Sequence, residues 1–111
     1  MKNNDYQTIQ KIIRYCDDVA TILNRHEVDF AKFENDVEFE YACNMCIIQI
    51  GELVGRLSDD FQIEHSDIPW HAIKAMRNLY AHDYEHIHLP TVWKALTNDV
   101  PNLKKQLEAL Q

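Results

Sequence analysis

Apolar residues recur along this chain in alternating steps of three and four, a pattern typical of helices that bury one face. The first stripe follows a polar run, Asn3 to Asp5, whose side chains are candidate N-caps, and it predicts a helix over about residues 4–25. Its members are Tyr6, Ile9, Ile13, Cys16, Ala20 and Leu23. We expect these side chains to form one wall of the core.

A second stripe predicts a longer helix over about residues 33–58. Its members are Phe39, Cys43, Cys46, Ile50, Leu53 and Leu57, and apolar residues outside the stripe are Ile47, Ile48 and Val54. Because its apolar residues cover more than one face, this helix should be central, or should pack on both the core and a partner. Gly51 and Gly55 lie four residues apart, and their missing side chains suggest close packing of another helix.

Prolines mark the starts of the remaining helices. Pro69 is predicted at the first helical position, where its absent N–H costs nothing, and the buried side would comprise Ile73, Met76 and Leu79 or Tyr80. Pro90 opens the last helix in the same way, and its stripe is Leu89, Trp93, Leu96, Val100, Leu103, Leu107 and Leu110. Pro101 should kink this helix, or start a new segment capped near Asn98 or Asp99. The segment from Phe61 to Ser66 is ambiguous between a helical turn and a loop.

Composition supports an all-α fold. The chain has only two Gly and three Pro in 111 residues, whereas sheet proteins need many tight turns built from those residues. Its length fits one domain over residues 1–111. We expect an up-and-down bundle of four long helices, with a possible short fifth helix.

Charge and hydropathy narrow the function classes. Eleven basic against eighteen acidic side chains give a net charge of −7, which argues against coating of duplex DNA but is compatible with binding one defined RNA segment. No stretch approaches the roughly 18 apolar residues of a membrane span, and Met1 to Asp5 is not followed by the apolar segment of a signal peptide. We therefore expect a soluble, cytoplasmic protein that does not bind membranes. Three cysteines are too few for a disulfide framework, so reduced thiols are expected.

Two clusters suggest metal or redox chemistry, but each has a simpler interpretation. Cys43 and Cys46 both lie on the apolar stripe, so we interpret them as buried small hydrophobes. His82 and His86 have the i,i+4 spacing of two metal-binding imidazoles, and the side chains that could complete a metal shell are Asp83, Glu85 and His88. The pair lacks the intervening general-base Glu of the metalloprotease type, and it lies close to Pro90, where a helix should already have ended. We predict surface histidines or metal-free catalysis, with no metal and no cofactor.

The segment from residue 77 to residue 84 carries the third candidate site. Arg77 is a permanent cation suited to gripping phosphate, His82 can exchange protons near neutral pH, and Asn78 and Tyr84 add an amide and a phenol. This set matches metal-free RNA cleavage, in which an imidazole moves the proton of the 2′-OH or of the leaving oxygen and a guanidinium stabilises the phosphate. The alternative is a helix end where Arg77 and His82 only satisfy the helix dipole and local carboxylates.

Helical geometry limits how these residues can meet. At about 100° per residue, Arg77 and Tyr84 lie on nearly the same face, whereas His82 points about 140° away from Arg77. A straight helix cannot bring all three together. Either the helix breaks near Ala81 and His82, or two chains of a symmetric dimer assemble the pocket, with Arg77 of one subunit near His82 of the other. The second apolar face of the 33–58 helix and its glycines favour the dimer.

The order Arg77, four residues, His82, one residue, Tyr84 resembles the motif of HepT-type toxins in the HEPN superfamily of helical ribonucleases. Further runs resemble the same family: Ile50-Gly51-Glu52, Arg56-Leu57-Ser58, Ile68-Pro69-Trp70, Leu79 to His82, Val92-Trp93 and Asn98-Asp99-Val100-Pro101. The likeness covers most of the chain and is weakest before about residue 40. A shared order of motifs is more specific than the Arg/His pair alone.

This resemblance implies a homodimeric, metal-independent endoribonuclease toxin in which Arg77 and His82 are catalytic and Asn78 is a supporting polar residue. It also implies an MntA-type nucleotidyltransferase antitoxin that transfers AMP to Tyr84. The acidic side chains beside His82 indicate a narrow RNA substrate, or a member whose main role is to bind its antitoxin. Two function classes therefore stay open: an RNase toxin, and a non-catalytic helical partner or substrate of a nucleotidyltransferase.

Overall fold

The computed structural model describes residues 3–111, and every regular element in that range is a helix. In chain order the helices are α1 (Asn3–Arg25), α2 (Phe30–Asn35), α3 (Val37–Arg56), α4 (Asp59–Glu64), α5 (Trp70–His82), α6 (Leu89–Lys94) and α7 (Val100–Glu108). A 3-10 turn (Tyr84–His86) follows α5, and a π-helical segment (Ala95–Asp99) joins α6 to α7. The all-α prediction is confirmed. The fourth long helix of the predicted bundle corresponds to this interrupted run of α6, π segment and α7.

Helix α3 occupies the centre, with α1 packed on one side and α5 on another. Its predicted stripe is buried throughout, together with Ile47 and Val54. Of the second apolar face predicted for this helix, Ile47 and Val54 are thus used inside the same chain, whereas Ile48 is half-buried. The buried core also takes in Leu96, Val100, Leu103 and Leu107 from the last two helices and the π segment.

The buried face of α1 differs from the predicted stripe by a small rotation. Its buried apolar residues are Ile9, Ile12, Cys16, Val19 and Leu23, whereas Tyr6 and Ala20 are exposed and Ile13 is half-buried. Asp5 fixes the rotation, because this residue is only 3% exposed and its carboxylate accepts hydrogen bonds from the Ser58 N–H at 2.9 Å and the Ser58 hydroxyl at 2.7 Å. Asn4 and Asp5, predicted as N-caps, thus lie within the helix.

The predicted 33–58 helix is wrong at its start. Asp36 is extended, and its carboxylate accepts hydrogen bonds from the Glu38 N–H at 3.0 Å and the Phe39 N–H at 3.2 Å. This N-cap ends α2 and starts α3 one residue later, because a capping carboxylate satisfies the amides that a continuous helix would pair with carbonyls. At the other end Ser58 caps α4, which resolves the ambiguous segment as a helix with Phe61 buried.

The proline predictions hold in part. Pro69 is the N-cap of α5 and not its first helical residue, because the Trp70 N–H bonds to the Ile68 carbonyl at 2.8 Å in a turn before the helix. On α5 Tyr80 is buried, whereas Leu79 is 40% exposed. Pro101 lies in the first turn of α7, directly after the π-helical segment. Asp99 and Val100 before it keep a helical backbone, so α7 continues the run and does not start at a cap near Asn98 or Asp99. None of the helices within residues 3–111 is long and apolar enough to cross a membrane.

Candidate active site

Arg77 sits where α5 comes closest to α3. A Cβ atom added to Gly51 would lie 2.2 Å from the Arg77 Cβ and 2.6 Å from its Cγ, so only glycine leaves room for the arginine stem there. The guanidinium pairs with the Glu52 carboxylate and donates a hydrogen bond to the Asn78 side-chain oxygen at 2.8 Å. The close packing predicted at Gly51 is thus a contact within one chain, and its effect is to hold Arg77 in place.

Around this contact lies an open polar cleft of about 240 Å³ between α3 and α5. Its lining residues are Gly51, Glu52, Gly55, Arg56, Lys74, Arg77 and Asn78. The Arg77 Nε is buried and has no hydrogen-bond partner among the described residues. The site residues Arg77 and Asn78 therefore share one anion-sized cleft with two further cations.

His82 is not part of this cleft's lining. It is the last residue of α5, it is exposed, and within residues 3–111 its side chain makes no hydrogen bond or ion pair. His82 lies five positions after Arg77, which places it about 7.5 Å further along the helix axis and about 140° around it. The helix does end near Ala81 and His82, as one alternative required, but only after His82. One chain therefore does not bring Arg77 and His82 to a common face.

Tyr84 lies beyond the end of α5, in the 3-10 turn. Its hydroxyl donates a hydrogen bond to the Glu40 carboxylate at 2.8 Å, and its ring packs edge-on to Tyr41 with centroids 5.9 Å apart. Burial first, and then the hydrogen bond to Glu40, raise the pKa of Tyr84 to about 12. Glu40 and Glu52 are twelve residues apart on α3, about 18 Å along the axis, so Tyr84 and Arg77 contact opposite ends of that helix.

Nearly the whole chain matches one known protein family. A family model described as ribonuclease HepT-like matches residues 6–110. The chain belongs to the ribonuclease HepT-like family. The match includes every residue of the Arg77 to Tyr84 segment.

Individual relatives of this HepT-like chain are distant but nearly full-length. A Methanocaldococcus jannaschii protein named as a candidate RNase is 28% identical over 99 residues, covering 89% of this chain and 84% of the relative. Another from that organism, named in the same way, is 30% identical over 82 residues, covering 74% and 75%. A Thermococcus cleftensis protein named as a probable ribonuclease HepT is 28% identical over 102 residues, covering 87% and 93%. No solved structure matches the chain.

The cysteines of this HepT-like chain are structural. Cys16, Cys43 and Cys46 are all free and buried, as predicted. Burial is the main cause that raises the pKa of Cys16 and Cys43 to about 12 and that of Cys46 to about 11. Since the thiolate is the nucleophile and the metal ligand, these thiols are poorly suited to either role.

The predicted histidine pair is separated by the end of α5. His82 is helical, whereas His86 lies in the 3-10 turn and pairs with Asp83, which raises the pKa of His86 above its usual value. His88 instead contacts the Thr91 hydroxyl at 2.9 Å. The i,i+4 geometry that a shared metal ion would require is therefore absent, and no three His, Cys, Asp or Glu residues within 3–111 form a metal-binding group.

Four residues of these surroundings were not assigned a role from the sequence. Lys74 could have been found, because it precedes Arg77 by three residues and so shares its flank of α5. Glu52 and Arg56 lie in runs that resemble the family, but their spacing alone gives them no partner. Glu40 lies 44 residues before Tyr84, and no local pattern predicts such a contact.

Proposed function

We propose that this protein is a metal-independent endoribonuclease toxin that acts on RNA in the cytoplasm. Arg77 and His82 are the catalytic residues, and Asn78 is the supporting polar residue. The observation that carries this proposal is the position of Arg77. Its stem packs on Gly51, and its guanidinium lies in a polar cleft, paired with the Glu52 carboxylate, which a phosphate can replace. Membership of the ribonuclease HepT-like family supports the same function.

The chemistry needs no group beyond this chain and water. His82 removes the proton of a ribose 2′-OH while water protonates the 5′-oxygen as it leaves, or His82 protonates that oxygen while water accepts the 2′-OH proton. The 2′-oxygen forms a bond to phosphorus while the bond from phosphorus to the 5′-oxygen breaks, which yields a 2′,3′-cyclic phosphate and a 5′-OH. Arg77 stabilises the negative charge that builds on the phosphate oxygens during this transfer.

A two-fold dimer is the arrangement that completes the site. Tyr41 and Met45 are 58% and 55% exposed, and they lie on one stripe of α3 that continues through Ile48 to Glu52. If two copies of α3 pack antiparallel along this stripe, the Tyr84 end of one subunit meets the Arg77 end of the other. His82, between these two levels, would then face the Arg77 cleft of the partner subunit.

Cleavage assays test the catalytic roles. His82→Ala and Arg77→Ala should each lower the rate of RNA cleavage about 10²–10⁴-fold while the helical content and the thermal midpoint stay close to wild type. Chelation by EDTA should leave the wild-type rate unchanged, and the products should carry 2′,3′-cyclic phosphate ends. Full cleavage by both variants, or EDTA inhibition reversed by zinc, would refute the proposed mechanism.

The second candidate function is a non-catalytic partner or substrate of an MntA-like nucleotidyltransferase, which is also the proposed antitoxin. The placement of Tyr84 favours it, because its hydroxyl already bonds to a carboxylate that can accept the phenol proton during AMP transfer. The exposed neighbour Tyr41 provides a matched control. With the nucleotidyltransferase and ATP, wild type and Tyr41→Phe should gain the mass of AMP and lose any cleavage activity, whereas Tyr84→Phe should remain unmodified.

If Tyr84→Phe is modified as fully as wild type, Tyr84 is not the acceptor. If wild type gains AMP but never cleaves RNA, the non-catalytic alternative is favoured over the toxin.

A further inference from the structure

The cleft beside Arg77 has a charge opposite to that of the chain as a whole. Three cations, Arg56, Lys74 and Arg77, line it together with one carboxylate, Glu52, whereas the full chain has a net charge of −7. Because the remaining surface is predominantly acidic, a polyanion should be attracted to this cleft and repelled elsewhere. A local cationic site on an acidic protein is therefore selective for a short stretch of phosphates.

Space for an anion comes from Gly55. A Cβ atom added to Gly55 would lie 3.9 Å from the Lys74 Cε, and no other atom from outside this stretch of α3 lies within 4 Å, so the floor beside Lys74 is open helix backbone. Gly51, one turn earlier, has no such space, because the Arg77 stem fills it. Two cations thus flank an open position directly beside the one that Arg77 occupies.

We infer that Lys74 and Arg56 form a phosphate-binding subsite for single-stranded RNA, next to the phosphate that Arg77 contacts. This inference rests on the proposed ribonuclease function and assigns its substrate class. A duplex would require cations spread over a wide surface, whereas a cleft of about 240 Å³ accommodates only a short length of one backbone. Lys74 and Arg56 are positioning residues, since they hold the strand while Arg77 and His82 act on the scissile phosphate.

Glu52 has the opposite effect on this subsite. Its carboxylate pairs with the Arg77 guanidinium, and the Nε of that guanidinium has no partner in the described chain. A phosphate, with several acceptor oxygens, can replace Glu52 and bind a larger share of the five guanidinium donors. Glu52 therefore lowers the affinity for RNA and restricts Arg77 to ligands that compete with a carboxylate.

Binding of a fluorescent, fully 2′-O-methylated oligoribonucleotide tests the subsite without cleavage. Lys74→Ala and Arg56→Ala should each weaken binding about three- to tenfold and reduce the slope of log affinity against log salt by about 0.7, the value for one phosphate on a single strand. Glu52→Gln should tighten binding. With cleavable RNA, the two alanine variants should raise KM and leave kcat within about twofold of wild type.

Lys94→Ala is the matched control. Lys94 lies on α6 next to Trp93, which packs on Phe39, and Phe39 is sixteen residues or about 24 Å from Gly55 along α3. This variant removes the same charge but should keep the wild-type affinity and salt slope. Thermal midpoints of all variants exclude unfolding as the cause of any loss.

The outcomes separate the subsite from the proposed function. If the Lys74, Arg56 and Lys94 variants bind alike, or if wild type does not bind the oligonucleotide, the subsite is refuted. If binding follows the expected pattern but wild type never cleaves RNA, the subsite stands and the ribonuclease proposal fails. If the Lys74 and Arg56 variants bind RNA normally but lose the nucleotidyltransferase, the cleft is a protein interface and the inference is wrong.

Discussion

At the residue scale, Gly51 and Gly55 lie one turn apart on α3 but meet different neighbours. The first is buried under the stem of Arg77, whereas the second is exposed, with only the end of Lys74 within reach. A side chain at Gly51 would clash with the Cβ of Arg77, and no rotamer change can relieve this clash, because the backbone fixes the position of a Cβ atom. The same glycine spacing thus has a packing role at one position and leaves open space at the other.

Gly51→Ala is expected to lower the free energy of unfolding by about 1–3 kcal/mol, because the added methyl group overpacks the contact between α3 and α5. Gly55→Ala should instead raise it by about 0.5–1 kcal/mol, since alanine favours the helix and the space is empty. Urea denaturation of both variants measures the difference. Equal effects of the two substitutions would show that Arg77 does not constrain Gly51.

Tyr84 offers a second test at this scale. Its pKa is raised from 10 to about 12, so the neutral phenol is favoured in the folded chain. The resulting stabilisation is complete below pH 10 and is lost as the pH rises from 10 towards 12. Glu40→Gln should move the pKa of Tyr84 back towards 10, although burial, the largest cause, remains. Phenolate absorbance of each protein, minus that of its Tyr84→Phe counterpart, gives this pKa, and an unchanged value would rule out the Glu40 contact.

At the element scale, Asp5 joins three helices. It lies in the first turn of α1, and its carboxylate receives both the N–H and the hydroxyl of Ser58, the residue between α3 and α4 that also caps α4. Removal of a buried acceptor leaves its donors unsatisfied, which costs the desolvation free energy of those donors. The junction of these helices therefore depends on one carboxylate far away in the sequence.

Asp5→Ala should lower the free energy of unfolding by about 1–3 kcal/mol through the loss of these two hydrogen bonds. Asp17, also on α1, forms an exposed ion pair with Lys104 of α7, and Asp17→Ala, which breaks this pair, should have a much smaller effect. Thermal unfolding of the two variants at neutral pH provides the comparison. A similar loss in both would contradict the structural role of Asp5.

The elements show which features a sequence pattern can predict. The extent of α1, the central position of α3 and the buried stripe of α3 follow from apolar periodicity alone, because each covers several turns. The rotation of α1 does not, since Ile12 and Ile13 both fit steps of three and four, and the choice depends on the contact of Asp5 with Ser58. The break before Val37 depends on one side chain, Asp36, which caps a helix instead of continuing one.

In the candidate site, too, some features can be predicted from the sequence and others arise only from the fold. Arg77, Asn78, His82 and Tyr84 lie within eight residues, so their motif can be found by reading the chain. Their partners Glu52 and Glu40 belong to α3, and these contacts arise only when α5 packs against it. The cleft is likewise a tertiary feature, because its cations are contributed by two helices.

At the scale of the whole molecule, the proposed site is distributed over the surface of α3. Arg77 contacts one end of that helix and Tyr84 the other, and the two contacts are about 18 Å apart. The exposed side chains of Tyr41 and Met45 lie on one stripe of the helix between these two ends. A monomer would leave Arg77 and His82 on different faces of α5. In the proposed antiparallel dimer, each Arg77 would meet the other subunit, and this apolar stripe, which an isolated chain exposes to water, would be covered.

Subunit complementation tests whether the catalytic pair comes from two chains. Arg77→Ala and His82→Ala should each be inactive alone, but in a mixed dimer one of the two sites combines the intact Arg77 of one subunit with the intact His82 of the other. Random exchange of equal amounts makes half of the dimers mixed, so about a quarter of the wild-type cleavage rate should return. A matched control mixes Arg77→Ala with a double variant carrying Arg77→Ala and His82→Ala, which restores no site. If the first mixture also stays inactive although mass spectrometry shows mixed dimers, Arg77 and His82 act within one chain. The end of α5 must then move to bring the two side chains together.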